Sequence, residues 1–161
     1  MGTIKVISDF LEKELSDFLY EYFLKIPHCY GHSSNNGGNN FYATDLNVHD
    51  PLINFLCKKI ANQGNKNVRI LRSYINIQHV GMDGEFHEDD GDTTYLIMIS
   101  KTLGENSGQF QIIDEDNNIK SFIFVQNRLI CFPAKLKHRG LAPLEKNTPR
   151  ITLVFKTESI L

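Results

Sequence analysis

The sequence predicts an α+β fold in which antiparallel strands form a sandwich or jelly roll with helices packed on one side. Three observations lead there. Two helix-period stretches precede residue 66, short β-rich runs broken by turn residues follow, and no internal repeat disturbs that order.

Phe10, Leu11, Leu15, Phe18, Leu19, Tyr22 and Phe23 recur at three- and four-residue steps, predicting an amphipathic helix over 9–25 with Ser8 as N-cap and Pro27 as stop. The polar, glycine-bearing stretch from Ser33 to Asn40 reads as a mobile surface loop, with a lid as the alternative. Asp50-Pro51 is an N-cap followed by proline at the first helical position. It opens a second helix whose stripe is Leu52, Ile53, Leu56 and Ile60 and which ends before Gly64. Strand-like runs follow at roughly 68–79, 93–100, 108–113, 119–125, 128–132 and 150–157, and alternation makes Phe110, Phe122, Phe124 and Phe132 core.

A chain of 161 residues is sized for one compact domain, a helical part over about 1–66 and a strand core over about 67–157. The net charge of −2 gives no bulk attraction to nucleic acid or membrane. Neither a signal-peptide pattern nor a membrane-length apolar run is evident, so a cytoplasmic protein is expected. Cys29, Cys57 and Cys131 are odd in number and widely spaced, which fits ordinary thiols better than disulfides or a zinc knuckle.

His87 and Asp89 form a His-x-Asp pair. On an extended segment, residues two apart project to one side, so imidazole and carboxylate can converge on one ion. His138 completes a two-His, one-carboxylate set, which suits non-haem Fe(II) and leaves coordination positions open. The same residues in an acid-rich segment (Asp83, Glu85, Glu88, Asp90, Asp92) also suit a plain charged turn, and zinc has the same donor chemistry. The EF-hand spacing is not met, which sets calcium aside. Arg150 lies twelve residues beyond His138 and heads the alternating run Arg150–Phe155. Arg150 and Thr152 therefore share a strand face, where a guanidinium fork and a hydroxyl make a carboxylate receptor.

Taken together, these residues are similar to the signature of the 2-oxoglutarate/Fe(II) dioxygenase superfamily, and the text from about Leu71 to Lys156 most resembles its prolyl 4-hydroxylase-like branch. The matching pieces are Arg72-Ser-Tyr74-Ile-Asn76, Gly84-Glu-Phe-His87-Glu-Asp89, Thr94 to Ser100, Gly108-Gln-Phe110, Asn127 to Phe132, His138-Arg-Gly140 and Arg150-Ile-Thr152. The resemblance implies a double-stranded β-helix carrying Fe(II) on His87, Asp89 and His138. It also implies 2-oxoglutarate held by Arg150 and Thr152 with Tyr74 and Thr94 beside it, O2 as co-substrate and ascorbate as accessory reductant. The implied reaction hydroxylates an unactivated C–H bond, on a prolyl or other amino-acid side chain of a protein or peptide, and releases succinate and CO2. Arg150 stands where many prolyl 4-hydroxylases carry Lys, and the interval from Tyr74 to His87 is longer than that branch suggests.

Alternatives within the superfamily are a free amino-acid or small-molecule hydroxylase and a nucleic-acid demethylase. The latter is suggested by Lys156 in a paired-basic strand and opposed by the lack of a basic stripe. From another class, a non-catalytic jelly-roll module can bind metal without turnover. Asp90 is the expected acceptor orienting a ligand histidine. His79 reads as a surface histidine, with substrate contact as the alternative, and 33–40 and Lys101–Ser107 as the specificity loops.

Overall fold

The computed structural model describes residues 3–63 and 67–160. Gly64, the residue nominated to end the second helix, lies outside them. The elements run β1 (Lys5–Ile7), α1 (Lys13–Lys25), β2 (Cys29–His32), β3 (Phe41–Asp45), α2 (Pro51–Asn62), β4 (Val68–Gln78), β5 (Thr93–Met98), β6 (Phe110–Ile113), β7 (Ile119–Phe122), β8 (Leu129–Pro133), β9 (His138–Gly140) and β10 (Arg150–Ser159). A seven-stranded sheet in the order β1-β8-β5-β10-β4-β3-β2 faces a three-stranded sheet ordered β7-β6-β9. Every strand pairing is antiparallel, which gives the expected jelly roll.

Period-two alternation on the central strands sorts the core into two layers. Odd-numbered Ile75, Ile77, Ile97, Ile151, Leu153 and Phe155 face outward and are covered by Leu19 and Phe23 of α1 and Ile53, Leu56 and Ile60 of α2. Even-numbered Tyr74, Leu96, Met98 and Val154, with Ile130 and Phe132 of β8, face the small sheet and meet Phe110 and Ile112. The helices thus pack on one sheet, as expected. Leu56 is fully buried there, and truncating it to alanine would cost roughly 2–5 kcal/mol.

At α2 the expected cap is present: the Asp50 carboxylate accepts from the Leu52 N–H at 2.9 Å and the Ile53 N–H at 3.3 Å, and Pro51 takes the first position. α1 departs from expectation. It begins at Lys13, with Glu12 at the cap position and no side-chain cap, rather than at residue 9 behind Ser8. The reason is tertiary: Asp9 has φ 51°, and the Asn127 side chain accepts from the Leu11 N–H and donates to the Leu11 carbonyl, holding that segment out of the helix. Pro27 ends α1 as expected, with Ile26 extended before it. Phe18 and Tyr22, expected in the buried stripe, are exposed and stacked on each other.

The helical description of residues 1–66 is incomplete, because β1, β2 and β3 lie there and build both edges of the large sheet. These strands are three to five residues long, and β2 carries an irregularity between Tyr30 and His32 where Gly31 has φ 110°. Runs that short have no periodicity to read.

Candidate metal centre and anion pocket

β9 places the first ligand. Its alternation turns His138 and Gly140 inward, while Arg139 turns out to Gln111 and Phe86. The segment 84–89 lies against residues 134–140 without becoming a named strand. Gly84 N–H donates to the Gly140 carbonyl, His87 and His138 exchange backbone hydrogen bonds of 3.1 and 2.9 Å, and Asp89 N–H donates to the Ala134 carbonyl. That pairing brings His87 and Asp89 to the side of His138. Ligand atoms of the three residues all lie within 4.8 Å of one another. His138 Nε2 is 3.3 Å from Asp89 Oδ2, and His87 Nε2 is 3.9 Å from Asp89 Oδ1.

Each imidazole is oriented through its other nitrogen. Nδ1 of His87 lies 2.9 Å from the Glu85 carbonyl, and Nδ1 of His138 lies 2.8 Å from the Leu136 carbonyl. A carbonyl can only accept, so each Nδ1 carries hydrogen and each Nε2 presents a lone pair to the cluster when the ring is neutral. The expectation of Asp90 as acceptor is corrected: backbone carbonyls two residues before each histidine do that work, and Asp90 is exposed. Burial, with His138 alongside, lowers the His87 pKa and favours its neutral, ligating form.

Asp89 is 2% exposed, yet burial does not protonate it. Burial pushes its carboxyl up, and His138 and Lys156 outweigh that and hold it well below the usual carboxylate range. Lys156 Nζ forms an ion pair at 2.8 Å with Oδ1, Thr94 Oγ1 donates to Oδ2 at 2.8 Å, and Lys135 Nζ donates to the Asp89 carbonyl. Thr94, expected beside the co-substrate, thus donates to Asp89 while lining the same pocket.

β10 carries the rest of the pocket. Its register sets Arg150 against Gln78, Thr152 against Asn76 and Met98, and Lys156 against Thr94. Arg150 is 2% exposed. Its Nε donates to the Gly108 carbonyl at 2.8 Å, its Nη1 to Gln78 Oε1 at 2.7 Å, and its plane sits 5.3 Å from the Phe124 ring. Gly140 makes room: a Cβ there would lie 2.7–2.9 Å from three guanidinium atoms. Among the described residues no carboxylate pairs with Arg150, and burial alone pushes its pKa down. Among the described residues, Arg150 Nη2, Thr152 Oγ1 and Asn76 Oδ1 are buried without a hydrogen-bond partner. The first two are donors that an anion can satisfy, and the Asn76 oxygen is an acceptor that needs a donor; unmet donors beside an unmet charge are costly.

One pocket gathers His87, Asp89, His138, Tyr74, Asn76, Gln78, Thr94, Arg150 and Thr152, with Leu96, Phe110, Phe132 and Val154 as apolar wall. All seven nominated site residues line it. Gln78, Gly108, Gly140 and the Lys156–Asp89 pair were not foreseen. The signal for Gln78 was present: Tyr74, Asn76 and Gln78 alternate with Ile75 and Ile77 at the end of β4. Of the two nominated loops, Ser34 of the 33–40 stretch lines the pocket, and Asn35 and Asn39 donate to the Phe86 and Asp83 carbonyls. The Lys101–Ser107 loop does not line it; Gly104 and Ser107 are tied to Glu145 instead. His79 is a surface residue, edge-on to Tyr42.

This fold, two facing antiparallel sheets with helices on the larger, is the one shared by 2-oxoglutarate/Fe(II) oxygenases, prolyl hydroxylases among them. A prolyl-4-hydroxylase from Pseudomonas putida superposes with TM-score 0.74 at 14% identity, over 95% of this chain and 91% of that one. A 2OG-Fe(II) oxygenase family oxidoreductase from Burkholderia pseudomallei gives 0.77 at 12%, over 96% and 84%. A prolyl hydroxylase from Trichoplax adhaerens, solved with a hypoxia inducible factor oxygen degradation domain peptide fragment, gives 0.73 at 14%, over 94% and 82%. No protein-family model matches the chain, and no curated protein matches it in sequence.

Proposed function

We propose that the chain is an Fe(II)- and 2-oxoglutarate-dependent dioxygenase that hydroxylates an unactivated C–H bond, on a prolyl or other amino-acid side chain of a protein or peptide. The observation that carries this is Arg150. A buried guanidinium without a carboxylate, with a free Nη2 beside the free Thr152 hydroxyl, faces the same pocket as the two-His, one-carboxylate cluster. Fe(II) fits His87 Nε2, His138 Nε2 and one Asp89 oxygen, a donor set that leaves three positions of an octahedron open. 2-Oxoglutarate fits because its distal carboxylate supplies the anion that Arg150 and Thr152 lack, with Tyr74 and Asn76 lining the space between. When bound together with O2, the pair supplies oxidative decarboxylation to succinate and CO2 and the oxidising power to convert C–H to C–OH.

The chain's own residues bind, orient and keep water out. Leu96, Phe110, Phe132 and Val154 wall the pocket, and none of the described side chains is required as a general acid or base. The amino-acid side-chain substrate is supported by the neighbours that are prolyl hydroxylases, one with a peptide bound. It is supported too by a second cleft that opens next to His87 between His32, Ser33, Arg72, Tyr74 and Glu88. Lys156 lines that cleft too, but its charge is paired with Asp89 and its side chain is 13% exposed, which leaves little of it for a phosphate backbone. No helix among the described residues is long and apolar enough to cross a membrane.

The test is an aerobic incubation with Fe(II), 2-oxoglutarate and ascorbate against a panel of proline-containing peptides, amino acids and nucleotides, read by succinate release and mass spectrometry. We expect succinate, one added oxygen on a peptide, and loss of both in His87→Ala and Asp89→Ala. Metal binding without any succinate would instead favour a binding module.

A further inference from the structure

Lys156 is one of the two inward cations of β10 and stands six residues from Arg150 on the same strand face. Arg150 is positioned to receive an anion. Lys156 has another partner: its Nζ lies 2.8 Å from Oδ1 of Asp89 and over the Tyr74 ring, 5.7 Å from the centroid, and its side chain is 13% exposed. Asp89 is then held from both sides, because Thr94 Oγ1 donates to Oδ2 at 2.8 Å.

Accepting the Fe(II)/2-oxoglutarate reading of the pocket, we propose that Lys156 is a positioning residue that acts through Asp89 and sets the charge balance between metal and co-substrate. By standing against Oδ1, it would compete with a bound metal for that oxygen of Asp89. By adding a positive charge beside the centre, it opposes a dication and favours a dianion. Counted over the metal ligands and the two inward cations of β10, the centre illustrates the trade. Fe(II) at +2, Asp89 at −1, Arg150 at +1 and Lys156 at +1 sum to +3 before 2-oxoglutarate at −2 arrives; without Lys156 the sum is +2. The residue therefore weakens the hold on the metal and strengthens the hold on 2-oxoglutarate.

Opposite signs distinguish this role from a structural one, since a damaged pocket loses affinity for both ligands. Isothermal titration of the full chain with Mn(II), and then of the Mn(II)-loaded protein with 2-oxoglutarate, reads both affinities without turnover. In Lys156→Met, Mn(II) binding tightens and 2-oxoglutarate binding weakens, each by roughly tenfold for loss of one nearby charge; Lys156→Arg restores both. Lys156→Gln, which keeps a donor and loses the charge, shifts in the same directions and serves if the methionine variant does not fold. Both affinities falling together, or neither moving, overturns the proposal while leaving the proposed function intact. A wild-type protein that binds no Mn(II) overturns both.

Discussion

The two ends of one strand face carry buried cations in opposite circumstances. At the Lys156 end the charge is met: Asp89 sits 2.8 Å away, Thr94 donates to the other oxygen of that carboxylate, and His138 and His87 lie 3.3 and 3.9 Å from it. At the Arg150 end, a more deeply buried charge has, among the described residues, only neutral partners, Gln78 and the Gly108 carbonyl, and one nitrogen has none. A buried ion pair is self-contained, whereas a buried unpaired cation is destabilising until an anion reaches it. The comparison teaches where a ligand's free energy is stored. The Asp89 end is built to hold a geometry; the Arg150 end is built to be completed.

Removing the waiting charge breaks the comparison outright. Arg150→Met should weaken 2-oxoglutarate binding to the Mn(II)-loaded protein by roughly thirtyfold to several-thousandfold, since truncating one partner of a buried charge pair costs roughly 2–5 kcal/mol. Mn(II) affinity should stay within about threefold of wild type, as measured by calorimetry.

Making the two ends alike is the next largest change. Gln78 Oε1 lies 2.7 Å from Arg150 Nη1, and its amide donates to the Met82 and Gly140 carbonyls. Gln78→Glu gives Arg150 its own carboxylate but sets an oxygen against the Met82 and Gly140 carbonyls, so the melting temperature should change little while 2-oxoglutarate affinity falls about thirtyfold, the size of a charge-assisted contact. Thermal unfolding with and without 2-oxoglutarate reads both. A variant that melts as wild type and still binds normally would show that Arg150 does not receive the co-substrate.

The smallest change tests the fit alone. Gly140→Ala places a methyl 2.7–2.9 Å from the guanidinium, and the backbone there is not left-handed, so the cost falls on Arg150's position. About tenfold weaker 2-oxoglutarate binding with unchanged Mn(II) affinity is expected from a displacement of a few tenths of an ångström. Equal loss of both affinities would mean that the shift propagates through His138 in the same strand.

The sequence by itself determined whatever is repeated at short range. Alternation placed Arg150 with Thr152 and His87 with Asp89, the Asp50-Pro51 pair fixed the start of α2, and Pro27 ended α1. These are relations over two to four residues, and backbone geometry enforces them wherever the segment lies. Only the tertiary structure decided the rest. Asn127, 116 residues from Leu11, overrode a helix start, Gln78 met Arg150 across 72 residues, and the small edge strands β1 and β2 formed because a neighbour offered unpaired backbone. Lys156 reached Asp89 for the same reason: β10 and β5 pair in the register that sets Lys156 against Thr94. Such contacts depend on which strands become neighbours and in what register, and no local spacing in the chain encodes that.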